Sequence, residues 1–360
     1  MVPGLASAET LRIATYHTEV SRRGPGLLLR DILRGDDAQI AALADVIAAV
    51  APDILLLLDF DYDYDGHALA AFAGVLAARG VDLPHAFAAM PNKGMATGLD
   101  LDRDGRFGGA RDAQSFGSFA GQGGMAVLSR LPILVDEARD FSDILWRDAP
   151  GARLPVLDGA PFYPPEALDI LRLSSVSHWD LPLQLPGGGR AHLLAFHAGT
   201  PAFGGRADTN LHRNRDEVGF WRHYLDGALP DPPAGHFFIA GSANLDPHDG
   251  LGDRAAIAAL LADPRLQDPA PRSEGAAAAS AMQGGVNATQ TGDPAFDTAD
   301  WGDDPGYPGN LRVDYILPSA DWQVVGSGVF WPAPGAPLAE RAASASRHAL
   351  VWVDVALPEM

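Results

Sequence analysis

The stretch that decides the fold is 236–250, HFFIAGSANLDPHDG. It opens with a short, mainly apolar run that contains aromatic and β-branched side chains and ends on Gly241, a pattern that predicts a buried strand. The small polar residues Ser242 and Asn244 follow where this strand ends, before Pro247. Side chains at the end of a central strand line the crevice in which α/β proteins place their sites. The other interpretation is a structural strand that ends in a polar turn.

Similar apolar runs recur on both sides of this stretch. Residues 53–59 (DILLLLD) are apolar without alternation, which is typical of a strand buried on both faces. Asp36 and Asp37 are candidate caps for a helix that follows the first predicted strand. Further strands are predicted at 10–17, 124–130, 190–198, 311–317, 322–331 and 349–356. This order predicts one α/β domain over 10–358 in which two packed sheets are flanked by helices, with loop insertions near 84–122, 136–170 and 275–310.

Composition limits the classes of partner. The chain has 360 residues and a net charge of −20, and only one of its 26 basic residues is a lysine, Lys93. An acidic surface repels polyanions, so long nucleic acid is a poor partner. The chain has no cysteine, which excludes disulfides and thiolate metal sites. Because no apolar run approaches the roughly 18 residues of a membrane span, no membrane partner is expected, and no protein partner is evident.

The first residues resemble the end of an export signal. Ala6, Ser7 and Ala8 before Glu9 match the small-residue side of a signal-peptidase cleavage site. We therefore expect residues 1–9 to be a tail left from a signal peptide and the protein to be periplasmic or secreted. An ordinary flexible tail is the alternative interpretation.

Polar residues suited to hydrolysis follow several predicted strands. Imidazole, carboxylate and amide groups at one edge of a sheet pair are the composition of a divalent-metal phosphoesterase site, although each residue alone is more often structural. These residues are His17, Asp59, His197, Ser242, Asn244, Asp314, Arg347 and His348.

In these segments the chain resembles the endonuclease/exonuclease/phosphatase superfamily. The resemblance extends over nearly the whole chain, and the segments occur in the family's order: RIATYHTE (12–19), PDILLLLD (52–59), GGMAVLSRLPI (123–133), HLLAFHAGTP (192–201), FIAGSANLDP (238–247), RVDYILPS (312–319) and SRHALVWVDV (346–355). It implies a four-layered αββα sandwich. It also implies metal-dependent cleavage of phosphate esters by in-line attack of water.

The resemblance also assigns roles to several residues. It places His17 where the family has a metal-site Asn, and Asp59 at the position of the metal-binding Glu. It makes His197 the first active-site histidine, which contacts the phosphate. Asn244 matches the Asn of the Gly-Asp-x-Asn segment. Asp314 matches the Asp that orients the last histidine, and His348 is that histidine, which stabilises the phosphoryl oxygens.

Four site positions depart from the family pattern. Ser242 replaces the Asp that activates water, and a hydroxyl is too weakly basic for that task. Arg347 replaces the Asp of Ser-Asp-His, Asp59 is shorter than Glu, and His17 replaces an amide. The site is then catalytically silent, or its metal has changed from Mg²⁺ toward Mn²⁺ or Zn²⁺ because imidazole favours those ions. In a third interpretation Arg347 pairs with phosphate as a fixed cation, and Asp246, Asp314 or a metal-bound hydroxide supplies the base.

A second site is predicted in the first insertion. Residues 100–107, DLDRDGRF, match the opening of a calcium loop, with carboxylates at positions 1, 3 and 5, a turn at Gly105 and a backbone carbonyl at position 7. The usual acidic residue at position 12 is Arg111, and Asp112 comes one place later. The predicted ligands are Asp100, Asp102, Asp104, Arg106 and Asp112. A solvated acidic turn is the alternative.

The expected function is metal-dependent hydrolysis of a small phosphoester, with Mg²⁺, Mn²⁺ or Zn²⁺ at the active site and Ca²⁺ in the loop. The runner-up is a catalytically silent relative that binds a ligand or a partner through the same crevice.

Overall fold

Two β-sheets form the centre of the protein, and helices cover their outer faces. A computed structural model describes residues 9–358, so the predicted signal-peptide remnant before Glu9 lies outside the described residues. The strands are β1 (Thr10–His17), β2 (Ile54–Phe60), β3 (His85–Phe87), β4 (Gly124–Ser129), β5 (Arg139–Asp140), β6 (Val156–Leu157), β7 (Ala160–Pro161), β8 (His178–Gln184), β9 (Arg190–His197), β10 (Phe237–Ser242), β11 (Ala299–Asp300), β12 (Asn310–Leu311), β13 (Asp314–Pro318), β14 (Gln323–Phe330) and β15 (Leu350–Ala356). The helices are α1 (Leu27–Arg34), α2 (Ala38–Val50), α3 (His67–Ala77), α4 (Pro165–Leu168), α5 (Thr209–Leu225), α6 (Arg254–Leu261), α7 (Glu274–Gln283) and α8 (Ala339–Ala345).

Both large sheets are mixed. The first has six strands in the order β14-β15-β1-β2-β4-β3, and the second has five in the order β13-β10-β9-β8-β5. Strands β1 and β2 are parallel, as are β9 and β10, and the other neighbours pair antiparallel. The two parallel pairs bring successive strand ends to one edge of each sheet.

Strand β2 shows how the sequence produces the layers. Leu56 and Leu58 pack between the sheets, against residues such as Leu193 of β9. Leu55 and Leu57 point the other way, into a cluster with residues of α2 and α3. Successive side chains of a strand face opposite sides, so the unbroken run DILLLLD is apolar because helices cover one face and the second sheet covers the other. The second sheet is covered in the same way by α5 and α6, and the predicted four-layered αββα sandwich is confirmed.

The local predictions succeed where a strong pattern supports them and are wrong in one place. The first strand is found at Thr10–His17 as predicted, and Asp37 caps α2 by accepting the Ile40 N–H at 3.0 Å. The third predicted insertion, 275–310, contains a helix that the sequence analysis did not predict, since nearly all of α7 lies in it. Its alanines favour helix strongly, and Ser273 caps its first turn by accepting the backbone N–H groups of Gly275 and Ala276. None of the helices within 9–358 is long and apolar enough to cross a membrane.

Gly241 in β10 predicts a sharp stability effect. Its φ is 145°, and a Cβ at this position would lie 1.8 Å from the carbonyl oxygen of Phe196 on the neighbouring strand. We expect Gly241→Ala to lower the free energy of unfolding by at least about 3 kcal/mol, because both the backbone conformation and the interstrand contact must change. Chemical denaturation measures this loss.

Gly219 provides the matched control. It lies within α5, and a Cβ added there meets no atom of the described chain within 4 Å. Gly219→Ala is expected to raise the free energy of unfolding by about 0.5–1 kcal/mol, since alanine favours a helix interior over glycine. Equal effects of the two substitutions would contradict the assignment of Gly241 to a conformation that requires glycine.

Candidate active site

The predicted site residues meet because the strand ends lie in register. His17 ends β1 and lies opposite Leu58 of β2, one residue before Asp59. On the second sheet, Ser242 ends β10 and lies opposite both His197 at the end of β9 and Asp314 at the start of β13. Because the sheets pack face to face, these strand ends lie together at one edge of the sandwich, and the region between them is called the crevice below.

Three histidines form the centre of the crevice. The ring centroids of His17 and His348 lie 3.9 Å apart, and those of His17 and His197 lie 4.8 Å apart. All three side chains are buried. Within residues 9–358, the buried atoms Nδ1 of His17, Nδ1 of His197 and Nε2 of His348 have no hydrogen-bond partner. A buried polar atom without a partner costs free energy, so these three nitrogens are candidates for binding a ligand.

A chain of hydrogen bonds orients His348. Its Nδ1 lies 2.7 Å from Oδ2 of Asp314, and the Thr298 hydroxyl donates to the same oxygen at 3.1 Å. Thr298 Oγ1 in turn accepts the backbone N–H of Asp314 at 3.1 Å. A carboxylate beside Nδ1 favours the proton on that atom, which leaves Nε2 of His348 free toward the crevice. This is the orienting role that the resemblance implies for Asp314.

Burial sets the charge state of two of the rings. Removal from water lowers the pKa of His17 well below its usual range, and interactions with His348, His197 and Lys93 lower it further. Burial, followed by Lys93, lowers the pKa of His197 to about 4, although Asp59 and Asp314 oppose the shift. Both rings are therefore neutral at pH 7 and present nitrogen lone pairs.

Asp59 lies on a β-bulge and pairs with the single lysine of the chain. The register of β2 against β4 shifts between Leu58 and Phe60, and Asp59 has a φ of 54°. A bulge of this kind redirects a side chain at the end of a strand. Lys93 Nζ donates to Asp59 Oδ1 at 2.8 Å. Burial opposes ionisation of Asp59, but Lys93 and the nearby histidines outweigh it and lower its pKa.

Ser242 and Asn244 are held by the backbone. Ser242 is fully buried, and its hydroxyl donates to the carbonyl of Val313 at 3.4 Å. Asn244 has a φ of 50°, and its Nδ2 donates to the carbonyl of Ala198 at 2.8 Å. Asp246, a candidate base, instead accepts the backbone N–H groups of His248, Asp249 and Arg312 at 2.7, 2.9 and 2.8 Å. It stabilises the loop, so Asp314 is the only carboxylate base of the sequence proposal still facing the imidazoles.

Arg347 turns away from the imidazoles. Its Nε donates to Oε1 of Glu19 at 2.8 Å, and its backbone N–H donates to Oε2 of the same residue at 2.8 Å. Its guanidinium lies 4.8 Å from the ring of Trp301, whose edge faces His348 at 5.0 Å between centroids. The Arg347 side chain is 59% exposed. Its charge is therefore paired with Glu19 at the rim of the crevice.

The donor set differs from that of the family's metal position. Of the two residues predicted there, His17 and Asp59, Asp59 already forms an ion pair with Lys93. A different group does fit. One ligand atom each from His17, Asp314 and His348 lies within 4.8 Å of the others. Two imidazoles and one carboxylate suit Zn²⁺ or Mn²⁺ better than Mg²⁺.

The predicted calcium loop brings three of its five residues together. Ligand oxygens of Asp100, Asp102 and Asp112 lie within 4.8 Å of one another. Asp104 is directed elsewhere, since its Oδ1 accepts the Arg106 N–H at 2.7 Å. Asp112, rather than Arg111, thus closes the group.

Two residues of the crevice have no signal in the sequence motifs. Thr298 lies in the third insertion, and Lys93 lies in the first. Lys93 is the only lysine of the chain, and this is the only feature of the sequence that distinguishes it.

Comparisons with known proteins agree with this geometry. The model of the Endonuclease/Exonuclease/phosphatase family matches residues 30–348. A protein described as an endonuclease/exonuclease/phosphatase from Beutenbergia cavernae has a similar fold, with 21% identity, coverage of 97% of this chain and 72% of that chain, and a TM-score of 0.55. A family protein from Leptotrichia buccalis is 13% identical over 96% of this chain and 100% of its own, with a TM-score of 0.53. One from Bacteroides thetaiotaomicron is 13% identical over 98% of this chain and 100% of its own, with a TM-score of 0.51. The comparison with curated proteins returns no match.

The fold and the candidate site at the strand ends therefore define an αββα sandwich protein. The chain belongs to the Endonuclease/Exonuclease/phosphatase family. Members of this family are hydrolases that act on phosphoester bonds, and they typically depend on divalent metals.

Asp297, next to Thr298, predicts a pH effect on stability. It lines a cavity of about 410 Å³ together with Asp246 and Asp293. Burial, and then the charges of Asp246, Asp249 and Asp293, raise its pKa to about 8. Since the folded state binds this proton more tightly than the unfolded state, the stabilising contribution is present below about pH 4 and is lost as pH rises toward 8.

When the pH is raised from 5.5 to 8.5, the free energy of unfolding should fall less in Asp297→Asn than in the wild type. The expected difference between the two decreases is roughly 1–3 kcal/mol. Denaturation of both proteins at the two pH values measures the difference. Asp304→Asn removes one exposed carboxylate and is the control. An identical pH slope in Asp297→Asn and the wild type would show that Asp297 does not titrate in this window.

Proposed function

We propose that this protein hydrolyses a small phosphoester in the crevice between its two sheets. The observation that carries the proposal is the cluster of His17, His197 and His348, with Asp314 behind His348 and with ring nitrogens that no group of the described chain satisfies. Such nitrogens are suited to phosphoryl oxygens and to a metal ion. Family membership supports the reaction class.

The side chains divide the chemistry between them. Asp314 holds the imidazole of His348 in one orientation through Nδ1, which leaves Nε2 as the ring atom that meets the ligand, either a phosphoryl oxygen or the metal ion. His197 contacts the phosphate from the neighbouring strand end. Ser242 cannot take a proton from water. The buried crevice atoms that have no partner in the described chain include Oδ1 of Asp314, which is an acceptor, and Nδ1 of His17 and of His197, which accept only in the tautomer that carries the proton on Nε2.

The cofactor in this proposal is Zn²⁺ or Mn²⁺, held by His17, Asp314 and His348, in preference to Mg²⁺. Bound there, it would supply Lewis-acid polarisation of a phosphoryl oxygen. The donor set supports this assignment, because imidazole is a better ligand for these ions than for Mg²⁺.

Charge supports a small substrate over long nucleic acid. The chain carries a net charge of −20, and two arginines in the segments that follow β1 and precede β15 are already paired. Arg22 donates to Asp31 and Asp37 at 3.1 Å each, and Arg347 is paired with Glu19. Binding of a long polyanion requires several free cations along its path, whereas one phosphate group needs only the crevice.

We also propose that Ca²⁺ binds Asp100, Asp102 and Asp112 and stabilises the first insertion. The spacing Asp-x-Asp-x-Asp-Gly and the convergence of three carboxylates support calcium. The periplasmic or secreted location is part of the same proposal, since exported proteins meet calcium concentrations that suit a weak structural site.

Turnover tests the function directly. The chelator-stripped protein would be supplied separately with Mg²⁺, Mn²⁺, Zn²⁺ and Ca²⁺ and assayed on aryl phosphate mono-, di- and triesters and on DNA. We expect Mn²⁺ or Zn²⁺ to restore activity on a small ester. We also expect His197→Ala and His348→Ala to lower kcat/KM by at least about 100-fold, because each removes a preorganised group facing the phosphate.

His67→Ala is the control for these variants, since His67 is an exposed histidine at the start of α3. It should keep full activity. No turnover with any metal and any ester, combined with retained phosphate binding, would favour the non-catalytic relative. In that case the Ser242 and Arg347 replacements would explain why the site binds phosphate but does not catalyse its hydrolysis.

Thermal unfolding tests the calcium site. Millimolar Ca²⁺ should raise Tm by several degrees, because a ligand that binds only the folded state stabilises it. Asp102→Asn and Asp112→Asn should abolish this shift, whereas Asp65→Asn, an exposed carboxylate outside the loop, should keep it. A shift that survives in both loop variants would place calcium elsewhere.

A further inference from the structure

We propose that the ammonium group of Lys93 takes the place of a divalent ion at Asp59, so that this half of the crevice carries a fixed, covalently attached cation. The inference deepens the proposed function, on which it rests for the identity of the bound phosphate group. It starts from a difference between this chain and its family: the family implies a divalent ion at the position of Asp59, whereas here Asp59 is paired with Lys93.

The first observation is the pair itself. Lys93 Nζ lies 2.8 Å from Asp59 Oδ1, and the two side chains are only 24% and 15% exposed. A compact ammonium occupies the same side of a carboxylate that a divalent ion would coordinate. An ion bound at this oxygen would lie beside the Lys93 ammonium and would be repelled by its charge.

The second observation is that the backbone makes room for this pair. A Cβ at Gly123 would lie 2.3 Å from Asp59 Oδ1 and 2.5 Å from Lys93 Nζ. Gly123 has a φ of 54°, and its N–H donates to Asp61 at 2.8 Å. The chain thus approaches the ion pair closely at a residue that has no side chain.

The third observation is that Lys93 is presented from a fixed loop. The neighbouring Asn92 is fully buried. Its Nδ2 donates to the carbonyls of Ser142 and Ser174 at 2.6 and 2.8 Å, and its N–H donates to Val176 at 3.0 Å. A buried amide with all these contacts holds the position of Lys93 without a metal ion. Preorganised charge of this kind is suited to a phosphoryl group that becomes more negative as it reacts.

Chemical modification of Lys93 gives a test that does not depend on turnover. Because Lys93 is the only lysine, an amine-specific acetylating reagent can modify only this side chain and the N-terminal amine. Inorganic phosphate should slow acetylation of Lys93 several-fold, as measured by mass spectrometry, and should leave the N-terminal amine unaffected. An unchanged rate at Lys93 would overturn the proposal.

Metal stoichiometry gives the second test. In an Asp102→Asn background, which removes the calcium loop, wild type and Asp59→Asn should bind the same number of Mn²⁺ ions. Lys93→Met should bind one more Mn²⁺ ion, because the Asp59 carboxylate is then free. The double variant Lys93→Met, Asp59→Asn should not bind this additional ion. Loss of an ion in Asp59→Asn alone would show that Asp59 is a metal ligand and would overturn the proposal.

Activity separates this inference from the proposed function. Lys93→Met should lower kcat/KM by about 100-fold, Lys93→Arg should retain part of the activity, and Arg34→Gln, which removes an exposed charge on α1, should retain all of it. If turnover requires a metal ion bound to Asp59, the proposed hydrolysis stands and the proposed role of Lys93 is wrong. If there is no turnover but phosphate still protects Lys93 from acetylation, the proposed hydrolysis is wrong and the role of Lys93 as a phosphate-binding cation stands.

Discussion

The packing of the inner faces of the two sheets is the interaction on which the rest of the structure depends. Leucine, isoleucine, valine and aromatic side chains of β1, β2, β8, β9 and β10 form one continuous cluster between the sheets. Burial of this apolar area is the main stabilising term for such a sandwich. It also fixes the site, because His17 and His197 end strands of opposite sheets and meet only when those faces are in contact. The geometry of the crevice therefore depends on the same packing that stabilises the core.

The low polarity behind the crevice then controls its charges. A charge removed from water requires a partner, and each charged group here has one. Asp59 has Lys93, Glu19 has Arg347, and Asp314 has His348. His17 and His197 have no such partner, and burial keeps them neutral. The free lone pairs of the site are thus a consequence of the fold's dry interior.

The sequence predicts the fold well because both of its main signals are local. The alternation in Thr10–His17 and the unbroken run in β2 report their own burial, and the polar residues that follow them mark the strand ends. Contacts between residues far apart in the chain produce no comparable local pattern in the sequence. Arg347 meets Glu19, which is 328 positions away in the sequence, and Lys93 reaches Asp59 from an insertion without regular pattern. The helix α7 escaped prediction for a different reason, since its run of alanines has no amphipathic period and is recognisable only by propensity.

The departures from the family pattern are easier to understand together than singly. Relative to that pattern, Ser242 and Arg347 each remove a carboxylate, and the structure adds a cation through Lys93. A site with fewer negative groups has less need of divalent cations to balance them. The change of Asn to His at position 17 fits the same shift, because burial keeps this imidazole neutral and it adds no charge to the crevice. The Ser242 and Arg347 replacements each change the charge of the crevice, whereas His17 and Asp59 keep the charge of the residues they replace, so the two charge-changing replacements and the cation of Lys93 are best explained together.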